Sequence, residues 1–305
     1  MAAYDSQAGT CLGIDLGGTG IKGAVVNREG ELKYQLSVRT PVEEGREGIL
    51  RALFSLITEL MHEAQEPVAG IGIGSAGRID PVTGTILAAA NLPGCAGTPL
   101  AKLIHEKFGI PVHVDNDVNA AAIGELWAGA LGDIQSFAFV ALGTGVGGAL
   151  VNEGRLIYGE RGAAGEVGHM ILKPGGTLCG CGQRGCLEQY VSGTALNRAA
   201  QAVHPEWNSH RLIQQCAEGH PAALEVIDQF VKDLSSALIT LHNLLDPGAI
   251  VLGGGLTASS SVWWSRLEEA LSAMSPKKSV TVRAAQAGNQ AGMIGAAGLV
   301  FSRLT

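Results

Sequence analysis

Residues 13–34 read GIDLGGTGIKGAVVNREGELKY, and residues 137–159 read FAFVALGTGVGGALVNEGRLIYG. Each is a short apolar strand, a glycine turn, a second apolar strand, a polar turn and a third strand. The likeness extends into the polar turns, VVNREG in one stretch and LVNEG in the other. A pattern that recurs once at this spacing is too widely separated for a solenoid, and it predicts two related domains.

The segments around the first stretch complete an α/β pattern. Residues 49–64, ILRALFSLITELMHEA, carry apolar side chains at helical spacing. VAGIGIGSAG (68–77) is a buried strand entering a glycine turn, TPLAKLIHEKFG (98–109) a helix closed by Gly109, and PVHVDND (111–117) a strand leading into the helix that starts in VNAAAIGELWAGA. After the second stretch, residues 192–245 are largely helical, followed by the strand AIVLGGG, a helix, the strand VTVRAA and a last helix. The expected division is a small N-terminal domain of residues 1–117 plus about 290–305, and a larger one of 118–289, joined by a packed hinge near Asp117–Ala130.

Composition narrows the classes. At 305 residues the chain suits two packed domains, and 46% hydrophobic against 16% charged residues excludes a disordered protein. A net charge of −7 gives no basic footprint for nucleic acid or anionic lipid. The first residues, MAAYDSQAGTCLGIDLGG, lack a basic n-region followed by an apolar h-region, and no apolar run reaches the length of a membrane span. The expected compartment is the cytoplasm, where thiols stay reduced.

Glycine turns between strands can present backbone N–H groups to a phosphate, through close approach and unusual φ. In DLGGTG (15–20) Asp15 could hold a hydrated magnesium ion and Thr19 could bond a phosphate oxygen; the plain alternative is a hairpin turn with an aspartate at its mouth. Two such turns at matching places weigh against that alternative. Neither is a Walker loop or a strand–helix dinucleotide fingerprint. IVLGGGLTAS (250–259) is a third glycine turn, suited to a nucleotide or to a tight strand–helix junction. In HVDND, Asp117 could act as a general base and Asn116 could bind a hydroxyl, whereas helix capping explains the same residues locally.

Residues 168–190 read GHMILKPGGTLCGCGQRGCLEQY. His169, Cys179, Cys181 and Cys186 supply the Cys₃His set of a closed structural zinc site, with glycines at 180, 182 and 185 to let the loop wrap one ion. The C-x-C-x₄-C spacing does not match a redox C-x-x-C. Cys11, Cys95 and Cys216 read as small buried hydrophobes. Glu166 and Glu188 bracket the cage, and a loop that only stapled the fold would not need them.

Taken together, IDLGGTGIKGAVV, VDNDVNAAAIGE, LGTGVGGAL, GEVGHM, CGCGQRGCLEQYVSG, IVLGGGL and NQAGMIGAA resemble the ROK family of bacterial sugar kinases, repressors and open reading frames. The resemblance covers nearly the whole chain. It implies the actin–hexokinase fold, two duplicated α/β domains of ribonuclease H-like type with a cleft between them. It also implies a cytoplasmic, dimeric, ATP- and magnesium-dependent hexose kinase with structural zinc, most simply one making glucose 6-phosphate. Carried over by position, Asp117 is the base. Gly77, Arg78, Asn91, Asn116, Glu166, His169 and Glu188 contact the sugar. Asp15, Gly17, Gly18, Thr19, Lys22, Gly143, Thr144, Gly145, Gly254 and Gly255 surround ATP. His169 would use one ring nitrogen for zinc and the other for sugar.

The chain departs from the family's glucokinases at Ala76-Gly77, where they carry Pro-Gly, and at Cys95, where they carry tryptophan. Arg78 resembles the equivalent stretch of N-acylmannosamine kinases, so that activity and fructokinase stand as alternatives. A non-catalytic, sugar-sensing repressor-like protein would need a helix-turn-helix ahead of the first glycine turn, and only about ten residues precede the first strand.

Overall fold

The structure is a computed structural model that describes residues 9–127 and 131–303; residues 128–130 of the expected hinge lie outside them. It divides into two compact units. The first holds the described residues up to Asp133, with Leu156–Ala164 and those from Gln286; the second holds Ile134–Arg155 and Gly165–Ala285.

In the first unit, β1 (Thr10–Leu16) and β2 (Gly20–Asn27) form the hairpin expected from GIDLGGTGIKGAVV, and β3 (Leu32–Arg39) continues it. Helix α1 (Gly45–Glu63) buries Ile49, Leu53, Leu56, Ile57 and Leu60. It begins a turn before the expected Ile49 because its first residues, Gly-Arg-Glu-Gly, carry no apolar signal. Leu56 and Leu60 fill the space beside Gly23 of β2, each 2.6 Å from where a Cβ would stand. β4 (Val68–Ser75) pairs parallel with β1. β5 (Arg78–Asp80), β6 (Thr85–Ala88) and β7 (Thr98–Pro99) form a separate three-stranded sheet that periodicity does not predict, being too short to show alternation. α2 (Leu100–Phe108) ends at Gly109 in the left-handed conformation. β8 (Val112–Asn116) pairs parallel with β4, completing the sheet order β3-β2-β1-β4-β8, and runs straight into α3 (Asp117–Trp127).

The second unit repeats that plan. β9 (Phe137–Leu142) and β10 (Val146–Asn152) form an antiparallel hairpin, β11 (Arg155–Leu156) lies beside β10, and the cysteine loop follows. α4 (Glu188–Val191) precedes the stretch expected to be helical, and α5 (Gly193–Val203), α6 (Ser209–Ala217) and α7 (Pro221–Leu245) fill it. β12 (Ala249–Gly253) pairs parallel with β9; α8 (Ser260–Met274) and β13 (Val282–Ala284) complete the order β11-β10-β9-β12-β13. Trp263 of α8 is buried in this unit's core, edge-on to Phe230.

α9 (Ala291–Phe301) belongs to the first unit and is buried along nearly its whole length. Its backbone packs directly on the sheet and on α3: a Cβ at Gly13 or Gly72 would overlap the carbonyls of Met293 and Ala296, and one at Gly295 would overlap that of Ala120. This contact explains why the first unit runs through α3 to Asp133, beyond the expected boundary at 117. At the far end of α3 the buried Glu125 accepts the backbone N–H groups of Gln286 and Ala287, both at 2.9 Å, so the chain rejoins the first unit at 286 and not about 290. Among the described residues no helix is long and apolar enough to cross a membrane.

Candidate active site and metal centre

The β1–β2 turn is tight. The Gly17 N–H donates to the Gly20 carbonyl at 3.0 Å, and the Thr40 hydroxyl donates to the Gly17 carbonyl at 2.6 Å. Neither Gly17 nor Gly18 has positive φ, so close approach, and not unusual backbone, explains the glycines. A Cβ on Gly18 would stand 2.7 Å from Asn91 Cβ and 2.8 Å from its carbonyl oxygen, which places Asn91 beside the turn. Thr19 is exposed at the tip. Asp15 faces Lys22 across the hairpin; burial raises its pKa and Lys22 partly offsets this.

Asn116 and Asp117 stand where β8 becomes α3. Asn116 caps the helix: its Oδ1 accepts from Val118 N–H at 2.8 Å and Asn119 N–H at 3.2 Å. Its Nδ2 donates to the Gly77 carbonyl at 2.8 Å and to Asp117 Oδ1 at 2.9 Å. Asp117 Oδ1 also takes Val118 N–H at 3.0 Å, and among the described residues no other residue donates to Oδ2. Asn116 thus does the capping, which leaves half of the Asp117 carboxylate available. Burial, with the nearby charge of Asp15, pushes the Asp117 pKa up to about 6. At that value a carboxylate can accept a proton near neutral pH.

Gly77 must be glycine, with φ +104° and a Cβ position that would overlap the Ala88 carbonyl. The neighbouring Arg78 side chain is exposed and makes no hydrogen bond or ion pair among the described residues.

In the second unit, the β9–β10 turn has Gly143 N–H donating to the Gly145 carbonyl at 2.9 Å. The start of α5 holds this turn from behind, since Gly193 N–H donates to the Gly143 carbonyl at 2.7 Å and the Thr194 hydroxyl to the Thr144 carbonyl at 2.8 Å. Gly254, with φ +86°, follows β12 against the Leu142 backbone and is itself followed by Gly255 with open space around it. Both lie at the end of the strand next to β9.

His169, Cys179, Cys181 and Cys186 bring their donor atoms within 4.8 Å of one another. Cys181 and Cys186 Sγ are 3.6 Å apart, and Cys179 Sγ is 3.7 Å from His169 Nδ1. A tetrahedral zinc with bonds of about 2.3 Å to sulfur and about 2.0 Å to nitrogen has edges of roughly 3.5–3.8 Å, so the donor set fits that ion. The remaining cysteines, Cys11, Cys95 and Cys216, are buried. His169 turns Nδ1 to the thiols and leaves Nε2 4.0 Å from Glu166 Oε2. Glu188 opens α4 directly after the cage. Its Oε2 accepts the Val146 N–H at 3.0 Å, and its Oε1 lies 3.8 Å from Cys179 Sγ. One carboxylate therefore ties the cage to the second glycine turn.

Sequence reasoning misses that tie, the Thr40 brace and the Glu125 anchor, because each joins residues far apart in the chain or outside any motif. Asp115 is a fourth such residue. It is buried at the end of β8, where its Oδ2 accepts the Tyr158 hydroxyl at 2.6 Å. Burial raises its pKa, but the adjacent His113 and hydrogen bonds from Tyr158 and Asn119 outweigh this and hold it below the ordinary carboxylate value. The one signal that points to it is a carboxylate in the strand VHVDN, directly ahead of Asn116 and Asp117.

The fold and this residue set define a class. Residues 11–303 match the ROK family, and the chain belongs to that family. It is 33% identical over 311 residues to a glucokinase of Halalkalibacterium halodurans, covering 95% of this chain and 94% of that protein. Among solved structures, the ROK hexokinase of Thermus thermophilus superposes with a TM-score of 0.87 at 35% identity, over 94% of this chain and 96% of that one. A ROK family glucokinase from Streptomyces griseus, solved with glucose and AMPPNP, gives a TM-score of 0.82 at 32% identity, over 95% and 99% of the two chains.

Proposed function

We propose that this chain, an ATP-dependent sugar kinase of the ROK family, phosphorylates glucose at its primary hydroxyl. The observation that carries the reading is Asp117, a carboxylate with one oxygen uncommitted to its neighbours and a pKa of about 6. It would take the proton of the sugar hydroxyl as that oxygen attacks the γ-phosphorus in line, with ADP leaving. Gly17, Gly18, Thr19, Gly143, Thr144 and Gly145 would receive the phosphates, Asp15 a magnesium ion with Lys22 beside it, and Gly254 and Gly255 the adenosine. Asn91, Asn116, Glu166, His169 and Glu188 would meet the sugar. Zinc would sit in the Cys₃His set and supply rigidity, since a closed site offers no open position for water. The like strand orders of the two units support a duplication, and the family resemblance supports a cytoplasmic homodimer.

The test is ADP release from ATP and magnesium with a panel of sugars. Glucose is expected to give the highest kcat/KM, and Asp117→Asn to lower kcat by about 10² to 10⁴ while retaining sugar binding. Failure of every hexose, amino sugar and ketose to stimulate ADP release would overturn the reading. One observation favours a second substrate, the N-acylmannosamines: the exposed guanidinium of Arg78, without a partner among the described residues, is free to meet an acyl carbonyl. In that case Arg78→Ala lowers kcat/KM for N-acetylmannosamine more than for glucose.

A further inference from the structure

The β8–α3 junction rests on a buried network for which the proposed chemistry has no direct use. Asp115 is 2% exposed, and each of its oxygens is occupied. Oδ2 accepts the Tyr158 hydroxyl at 2.6 Å and lies 3.5 Å from His113 Nε2. Oδ1 accepts the Asn116 N–H at 2.7 Å and Asn119 Nδ2 at 2.9 Å. Asn116 and Asn119 flank Asp117 on both sides. Asn116 donates to Asp117 Oδ1 and caps the N–H groups of Val118 and Asn119, and Val118 N–H is the other neighbour donating to Asp117. Asn116, which makes one of these hydrogen bonds to Asp117 and shares the Val118 N–H that makes the other, is thus itself held by Asp115.

Tyr158 reaches Asp115 from Leu156–Ala164, a short excursion of the chain into the first unit between two stretches of the second. The excursion closes on itself through Ala164 N–H to the Tyr158 carbonyl at 2.9 Å. Burial and the adjacent Asp115 charge raise the phenol's pKa, so it remains a donor throughout the working range. A 2.6 Å bond from a neutral donor to a buried carboxylate is among the stronger hydrogen bonds a protein makes.

We propose that Asp115 and Tyr158 form a positioning pair that sets the orientation of Asp117, acting through Asn116 and Asn119. The proposal rests on Asp117 being the base, and a double-mutant cycle separates the two claims. Tyr158→Phe deletes a single oxygen. It is expected to lower kcat roughly tenfold by letting the carboxylate drift from its productive position, with KM for ATP and for sugar changed less than about twofold. In an Asp117→Asn background the same change is expected to have no further effect on kcat, because it has nothing left to position. Asp115→Asn should behave in the same way with a larger loss; if that variant does not fold, Tyr158→Phe decides the matter. An unchanged kcat in Tyr158→Phe overturns the pair, and so does an equal loss in the wild-type and Asp117→Asn backgrounds. If Asp117→Asn alone turns over at the wild-type rate, it is the base assignment that fails, and the pair fails with it.

Discussion

The β1–β2 and β9–β10 turns start from nearly the same residues and are held in different ways. Each begins with a glycine N–H donating to the carbonyl of a second glycine, at 3.0 Å from Gly17 to Gly20 and 2.9 Å from Gly143 to Gly145. The first is then braced by Thr40 and packed against Asn91. The second is braced by the start of α5 and, through Glu188, by the loop that holds the cysteine cage. One turn is thus stable by ordinary loop packing, while the other borrows order from a candidate metal site. Similar residues open the two hairpins, though the first turn closes from Gly17 to Gly20 and the second from Gly143 to Gly145, and their neighbours decide what each turn depends on.

The strongest way to break this contrast is to remove the metal. Cys181→Ser, or stripping by a chelator, is expected to leave no stoichiometric zinc and to cost at least roughly 10² in kcat/KM. Hydrogen exchange should rise at residues 142–148 and stay low at 16–22. The resemblance alone suggests that sugar recognition would suffer before ATP binding. The bond from Val146 N–H to Glu188 changes that expectation, because the second glycine turn is disturbed as well. Unchanged exchange at 142–148 in zinc-free protein would show that the second turn is as independent as the first.

A narrower cut isolates the link itself. Glu188→Ala removes the acceptor of the Val146 N–H and is expected to raise KM for ATP about tenfold, the scale of a hydrogen bond to a charged group. Glu188→Gln keeps an acceptor there and should cost less, with zinc content normal in both variants. Equal effects of the two substitutions on KM for ATP would assign the role of Glu188 to its charge and not to this bond.

Both hairpins, the β8–α3 junction and all four members of the cage are legible in the sequence. Each is local: a turn between adjacent strands, a strand end, four ligands within a single loop. Within the junction, spacing cannot reveal that Asn116 caps the helix and thereby leaves an Asp117 oxygen free. The anchors are not legible at all. Tyr158 meets Asp115 across 43 positions, and Glu125 meets Gln286 across 161, with no motif to pair them. The reach of the first unit through α3 is hidden for the same reason, since it follows from the close contacts of α9 with Gly13, Gly72 and Ala120.

Glycine substitutions sharpen the contrast on a smaller scale. A Cβ on Gly18 meets Asn91 at its Cβ and its backbone carbonyl, atoms that cannot yield without moving the loop. A Cβ on Gly145 meets the end of the Glu188 side chain, which can swing away. Gly18→Ala is therefore expected to cost about 1–3 kcal/mol of stability in urea unfolding. Gly145→Ala should cost less stability but lose activity, as displaced Glu188 releases the Val146 N–H. A greater loss of stability in Gly145→Ala than in Gly18→Ala would reverse the assignment of rigid and yielding neighbours.

The smallest expected effect concerns charge, which the two regions also treat differently. The second unit gathers thiols that a metal can neutralise, whereas the first keeps Asp117 near Asp15, with Lys22 opposite Asp15 as counter-charge. Burial and Asp15 raise the Asp117 pKa from 3.8 to about 6 in the folded protein. A carboxyl whose folded pKa is raised contributes stability that is fully present below its unfolded pKa and is lost as pH rises through the folded one. At pH 7.5 the wild-type protein therefore carries a penalty that Asp117→Asn removes. The full shift would correspond to about 3 kcal/mol, and with the residue partly open to solvent about 1 kcal/mol is the better expectation. Melting temperatures of wild type and Asp117→Asn should coincide near pH 4, separate between about pH 4 and 6 with the variant higher, and stay parallel above that. The same group, acting as the base, must be ionised, so kcat/KM should fall about tenfold per unit as pH drops below about 6. A variant less stable than wild type at pH 7.5 would show that the Asp117 carboxylate is held by favourable contacts, and the first unit would then store no unfavourable charge at its candidate base.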